Sequence, residues 1–348
     1  MSQVNTNAIY DASGGQSAQL YGVSMRYGGT NFVNRIINGD MRIDQRNAGA
    51  SVTINANQYT VDRWQAVQSA TGKYSVQQNA GAVTPPAGFT NYLGVTSLSA
   101  YSPSSSDFFY LRQQIEGYNV ADFNLGTANA ATFTLSFWVR SSLTGTFGGT
   151  FSNGASDSVY PFTYTISAAN TWEQKTVTVA GRTSGTWLTT NGAGLYVLFA
   201  LATGSTFTAA AGSWTSSTIL GATGQTQILA TSGATFYITG VQLEAGSVAT
   251  PFERRPYGTE LALCQRYFEV ANFSAPGSGV IGFNVATTTA TTNFPACPFR
   301  VEKRAIPTFT PTFLAGTGAT FAVTSGGFYQ NTNHSAANTF TWTASAEL

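Results

Sequence analysis

Phe133, Leu135, Phe137 and Val139 alternate with Thr134, Ser136, Trp138 and Arg140. A period of two fits an extended strand with one buried face and no helix. The same alternation recurs in Phe162/Tyr164/Ile166, in Val177/Val179 and in Leu195/Val197/Phe199/Leu201. Phe236 and Ile238 start another strand, but Val241 and Leu243 continue it on the opposite parity. Gly240 lies between, so the spacing predicts a β-bulge that returns the apolar set to one face. Short strands, polar turns and no helical period up to Val248 predict an antiparallel sandwich in an all-β chain.

Composition decides what such a sandwich is not. The 348 residues carry 16 Lys+Arg and 15 Asp+Glu, 9% charged, against roughly 25% in ordinary globular chains. Hydrophobic residues at 43%, with 24 Phe, 16 Tyr and 6 Trp, still supply a core and exclude a disordered polar chain. A formal net charge of +1 leaves no basic footprint for nucleic acid. No apolar run reaches the ~18 residues of a spanning helix, so no membrane insertion is expected. Met1–Asn5 has neither a basic start nor an apolar stretch, so no secretory signal is expected. Synthesis in a cytosol and release by lysis fit that reading. Cys264 and Cys297 are too few for a disulfide framework and are expected as free thiols.

Three parts follow. Residues 1–33 are turn-rich, with Asp11–Ser17 and Tyr27–Thr30 offering little to bury, and read as a docking arm held by something else. Residues 34–256 hold the sandwich. Residues 257–348 read as a connector helix and a smaller β domain. Pro256 precedes the helix, Thr259 is its expected cap and Glu260 suits its first turn. Leu261, Cys264, Tyr267 and Phe268 form one apolar stripe, suited to packing around a symmetry axis. Ile281/Phe283/Val285, Phe299/Val301, Phe321/Val323 and Phe340/Trp342/Ala344 then resume the strand pattern, and Pro295, Pro298, Pro307 and Pro311 limit central strands.

Several segments together carry a resemblance. Ile37-Asn38-Gly39-Asp40-Met41-Arg42-Ile43-Asp44-Gln45-Arg46 is followed by Asp62-Arg63-Trp64, by Leu111-Arg112-Gln113-Gln114-Ile115-Glu116-Gly117 and by Thr134–Arg140. The closing segment Ile238–Glu253 and the connector Leu261–Phe268 complete the set. This ordered set, over roughly residues 35–270, resembles bacteriophage tail-fibre and virion attachment proteins. The resemblance implies a jelly roll like that of carbohydrate-binding modules, built into a phage particle as a homotrimer. The arm at 1–33 is then the end that docks onto other virion proteins. Related jelly rolls often hold a structural calcium near the first and closing strands, where Asp40 and Glu244 lie here. The closing strand Ile238-Thr239-Gly240-Val241 lacks the usual acidic residue, which weakens both as ligands of an ion needing six to eight oxygens.

Reactive groups are few. His334 is the single histidine, in loop composition, which excludes a His-rich metal site and leaves one candidate for a Ser-His-Asp triad. The cysteines lack CxxC spacing and a nearby His, and no glycine-rich phosphate loop occurs. Glycan cleavage needs two carboxylates roughly 5–9.5 Å apart; Asp40, Asp44, Asp62, Asp107, Glu116 and Asp122 are available, with turn, cap or ion-pair duty as their alternative. No catalytic residue and no cofactor is therefore expected.

Binding residues are easier to nominate. Trp138 and Arg140 lie opposite the apolar parity of their strand. Phe108, Tyr110, Arg112, Gln114 and Glu116 share one parity against Leu111 and Ile115. If the two strands share a sheet, they make an aromatic, arginine-bearing outer face, suited to a glycan or to a subunit interface. Trp172, Trp187 and Trp214 sit in loops or at strand starts and are candidates for a loop-borne site. The expected function is attachment of a virion to host surface polysaccharide by multivalent binding. The alternatives are a purely structural virion subunit (baseplate, collar or capsid fibre) and, last, a polysaccharide-degrading enzyme.

Overall fold

The computed structural model describes residues 32–271, 296–315, 320–330 and 338–348, with the backbone of 19–20, 23–24 and 281–283. The period-two segments form two six-stranded antiparallel sheets. The first runs Val159–Ile166, Gly145–Ser152, Ala193–Thr203, Phe108–Glu116, Gln65–Gln68, Gln58–Tyr59. The second runs Glu173–Val179, Phe133–Ser141, Thr235–Ala245, Leu93–Ser97, Tyr74–Gln78, Val52–Thr53. The chain passes repeatedly between the two, which makes a jelly-roll sandwich.

Inward residues of both sheets close one core around Trp64, Phe109, Phe137, Phe147, Phe151 and Phe199. Phe137 meets Phe199 edge to face at 5.0 Å, a geometry worth about 0.5–1.5 kcal/mol beyond area burial. Pro161 falls on the edge strand of the first sheet, where a missing N–H costs no ladder bond. The bulge forms as expected: the register of Thr235–Ala245 against Phe133–Ser141 shifts between Thr239 and Gln242. Gly240 takes φ +60° there.

The motif at 37–46 is a structural knot. Asn38 takes φ +58° and its buried amide donates to the carbonyls of Ile43 (2.8 Å) and Asp62 (3.0 Å). Its oxygen accepts from Ile43 N (3.0 Å). Trp64 Nε1 donates to the Asn38 carbonyl at 3.1 Å. A Cβ on Gly39 would stand 2.1 Å from the Val241 carbonyl oxygen, so the close backbone approach requires glycine.

The described strands from Phe268 onward build a second, smaller β unit. Asn338–Ser345 pairs with Phe268–Val270, Ile281–Phe283 and Thr308–Ala315. Ala296–Pro298, Gly327–Gln330 and Phe321–Val323 form a three-stranded sheet. Its core is Phe299, Phe328, Phe340, Trp342 and Ala344. Phe299 and Val301 were expected within a strand, but that strand ends at Pro298. Pro311 sits on a strand paired only with Asn338–Ser345 among the described residues, which its missing N–H permits.

The helix spans Tyr257–Gln265 and differs from expectation at both ends. Pro256 occupies the cap position, no side chain caps it, and Thr259 lies inside the first turn. Tyr267 and Phe268 lie beyond its end. The apolar stripe packs inside its own chain, with Cys264 and Tyr267 on Ile37 and Ile43, so it is unavailable to a symmetry axis. Burial raises the Cys264 thiol well above its ordinary pKa; both cysteines are free.

The scarce charges gather where this smaller unit meets the sandwich. Arg46 pairs with Asp62 (2.6 Å) and Glu347 (2.9 Å), and Arg63 also pairs with Glu347. The Arg63 guanidinium lies 3.6 Å from the Tyr267 ring centroid. Glu116 receives Arg266 at 2.6 Å and Tyr267 Oη at 2.7 Å. Buried Lys303 donates to Glu269 (2.6 Å) and to the carbonyls of Gln265 (2.6 Å) and Val301 (2.9 Å). Such pairs fix geometry more than they add stability. Among the described residues no helix is long and apolar enough to cross a membrane.

Candidate functional site

The candidate acids are all engaged. Asp40 pairs with Arg42 (2.5 Å) and Asp122 with Arg35 (2.6 Å). Asp44 accepts the amides of Asn47 and Gly49, and Asp62 that of Gln45. Asp107 accepts Tyr101, Ser104 and Ser69 hydroxyls, and Glu116 lies in the junction. Glu244 accepts Gln242 and Thr250. The proposed calcium ligands Asp40 and Glu244 thus have different partners. No group of three or more His, Cys, Asp or Glu suited to a metal exists among the described residues. His334 lies outside the described residues.

The predicted aromatic face is two faces. Phe108–Glu116 and Phe133–Ser141 belong to different sheets, so Tyr110, Arg112 and Gln114 are separated by the core from Trp138 and Arg140. Alternation places a residue outward but does not say on which sheet. Trp138 and Arg140 are half-buried. Trp138 lies beside Phe89 against Gly240, and Arg140 stands 5.5 Å from the Tyr237 ring with Nε donating to the Asn170 carbonyl. Trp172 joins this second face, edge-on to Tyr92 at 5.5 Å, its indole N–H bound to the Thr84 carbonyl at 2.9 Å. Trp187 and Trp214 form a separate edge-to-face pair at 5.7 Å. Their indoles donate to Ser184 and Ala180 carbonyls, and both pack against the core.

The outer face of the first sheet carries a groove of about 220 Å³. Adjacent strands bring Ser152, Tyr196 and Gln114 into one row and Thr150, Leu198, Arg112 and Gln65 into the next. Phe108, Tyr110 and Tyr196 supply its aromatic surface, and Phe207, Ile219 and Leu220 form a wall. The wall is anchored by Leu220 N to the Phe207 carbonyl (2.8 Å) and by Thr208–Ala209 pairing with Gly221–Ala222. Asp107 holds its base, with its carbonyl accepting Gly204 N at 2.8 Å. Burial alone would raise the Asp107 carboxyl, but the Tyr101, Ser104 and Ser69 hydroxyls hold it down at about 2.

Arg112 is the one charged residue lining this groove. Its Nε donates to Gln65 Oε1 at 2.8 Å, which orients the guanidinium. The guanidinium carbon stands 5.0 Å from the Tyr196 centroid and 5.9 Å from that of Tyr110, within cation–π range. Gln114 Nε2 donates to Tyr59 Oη (3.1 Å) and Gln65 Oε1 (3.2 Å). Burial raises the Tyr110 phenol and pushes that of Tyr59 to about 12, so both remain neutral. Flat aromatic surface with inward polar groups is what a sugar ring requires: C–H faces on rings, hydroxyls on hydrogen-bonding side chains.

Of the predicted residues, the groove thus gathers Tyr110 and Arg112, has Gln114 beside it across from Tyr196, and leaves out Trp138, Arg140, Trp172, Trp187 and Trp214. Tyr196, Thr150 and Ser152 in the lining, and Gln65, which orients Arg112, were missed. Tyr196 obeys the same alternation as its neighbours Leu195 and Val197, on the outward side, and was findable by reading the polar parity of each strand.

No family model matches the chain, and no curated protein does. Solved structures are similar only distantly. The enzymatically active domain of Bacteriophage CBA120 tailspike protein 4 matches with TM-score 0.33 at 13% identity, over 62% of this chain and 22% of that one. A putative sugar binding protein from Bacteroides thetaiotaomicron gives TM-score 0.35 at 12% identity, over 61% and 100%. A family 11 carbohydrate-binding module of Clostridium thermocellum gives 0.27 at 8%, over 58% and 98%. At such scores the likeness bears no weight on function, and the jelly roll rests on the order of the sheets described above.

Proposed function

We propose that the chain is a virion attachment subunit whose groove on the first sheet holds a segment of host surface polysaccharide. The observation that carries this reading is the groove itself, where Tyr110, Tyr196 and Phe108 present aromatic surface around Arg112. Its modest volume, below the roughly 300–1,000 Å³ of enclosed small-molecule pockets, suits part of a longer glycan lying across it. Weak single sites gain strength when several act together on one particle. The virion setting is supported by the ordered resemblance over residues 35–270, whose motifs here serve the knot at Asn38 and the junction at Glu116. The engaged carboxylates support binding without cleavage.

Electrophoretic retardation of the full chain in gels containing bacterial surface polysaccharides tests the reading. Retardation by at least one polysaccharide is expected, lost in Tyr196→Ala, retained in Trp138→Ala, and without release of reducing ends. A folded chain retarded by none would favour a purely structural virion subunit. Reducing-end release would restore the enzyme reading.

A further inference from the structure

We infer that the groove selects an acidic glycan, one bearing carboxylates such as uronic or sialic acid, with Arg112 as the residue that reads the charge. This deepens the glycan-binding reading and rests on it. Arg112 makes no ion pair and only one hydrogen bond among the described residues, through Nε. Both Nη atoms, the two ends of the guanidinium fork, therefore have no protein partner there. No carboxylate lines the groove. Asp157, next to Ser156 on the rim, accepts from Asn153 at 2.6 Å.

Most of the chain's other buried and half-buried cations are neutralised from within. Arg35, Arg42, Arg46, Arg63, Arg255, Arg266 and Lys303 all have carboxylate partners. Arg140, Arg182, Lys73 and Arg304 lack one: Arg140 lies on the opposite sheet face, Arg182 beside Trp214 and Lys73 over the Tyr101 ring, while Arg304 donates to the carbonyls of Asn191, Ala346 and Glu347; none of the four lines the groove. Arg112 is thus the cation set into a concave aromatic site with its counter-ion left to a ligand. Gln65 fixes the guanidinium plane, and a fork with two free N–H edges matches a planar carboxylate in bidentate fashion. The Tyr110 and Tyr196 hydroxyls and those of Thr150 and Ser152 have no hydrogen bond among the described residues and remain for sugar hydroxyls. The low net charge of the whole chain (+1) gives no long-range attraction for polyanions, so selectivity must reside in this local contact.

Calorimetry of the full chain separates the outcomes. The probes are hexagalacturonate, the neutral hexamer made by reducing its carboxyl groups, oligomeric sialic acid, and cellohexaose. Binding of at least one acidic oligomer is expected, weakening with added salt. The carboxyl-reduced hexamer should bind roughly 10–100-fold more weakly than hexagalacturonate if the latter is the ligand, the range for one charge-assisted contact. Arg112→Gln should remove the acid preference while leaving residual neutral binding. Arg112→Lys should keep the salt dependence and lose part of the affinity. The wild-type comparison of charged and reduced hexamers needs no variant to fold. Equal binding of both, or binding of neutral sugars alone, overturns acid selection and leaves the glycan reading intact. Binding of no probe overturns both.

Discussion

Glu116 is 1% exposed, yet it holds its charge through Arg266 and Tyr267. Burial would raise its carboxyl, but those two donors hold it below the ordinary carboxylate range. In the unfolded chain it titrates at its ordinary value. Its stabilisation is therefore fully present above that value and lost as the pH falls through the lower folded one. Glu116→Gln should cost about 2 kcal/mol in urea unfolding at neutral pH and flatten the acid limb of the stability curve. An unchanged acid limb would mean the clamp is not closed in solution. Asp107 follows the same sign, and Asp107→Asn should weaken glycan binding by loosening the groove wall while the sandwich stays folded. At this scale much was legible. Tyr110, Arg112 and Gln114 come from parity alone. The engagement of each carboxylate was not legible, because partners such as Glu116 and Arg266 lie 150 residues apart.

The bulge at Gly240 shows how an element can be read and still mislead. The parity change in 236–243 locates it correctly, because buried residues on both sides must face one core. A Cβ there would meet the Phe89 ring at 2.6 Å, at φ +60°. Gly240→Ala should therefore cost about 1–3 kcal/mol, read as a lowered denaturant midpoint; a neutral effect would mean the bulge is relaxed. The same alternation places Trp138 and Arg112 outward without telling their sheets apart, since strand pairing is a long-range choice. The helix is a similar case. Its 3–4 spacing was visible, but Tyr267 and Phe268 continue the stripe after the helix has ended. The burial of Tyr267 on Ile37 and Ile43 depends on the Asn38 knot far upstream. The wall segment around Phe207 and Leu220 has no regular period, so its place beside the groove had no signal.

The whole molecule joins a charge-poor sandwich to a smaller β unit through a band of buried ion pairs. Outside that band its large apolar groups at the surface are scattered, with Tyr118 61% and Ile306 71% exposed, and single exposed residues of this kind need no partner. The homotrimer remains a proposal carried by the resemblance. Sedimentation equilibrium at micromolar concentration should give three times the 36.7 kDa chain mass; a stable monomer removes it, and with it the avidity argument. The fold class was legible throughout, because period-two patterning survives any choice of strand order. The groove was half legible: its floor follows from alternation, while its location depends on which strands become neighbours. The most direct test is a crystal structure of the full chain with a bound oligosaccharide that the gels or calorimetry identify. A sugar ring on Tyr196, with a substituent within hydrogen-bond distance of the Arg112 Nη atoms, is the predicted result. A sugar seated instead on Trp138, or between Trp187 and Trp214, would contradict it.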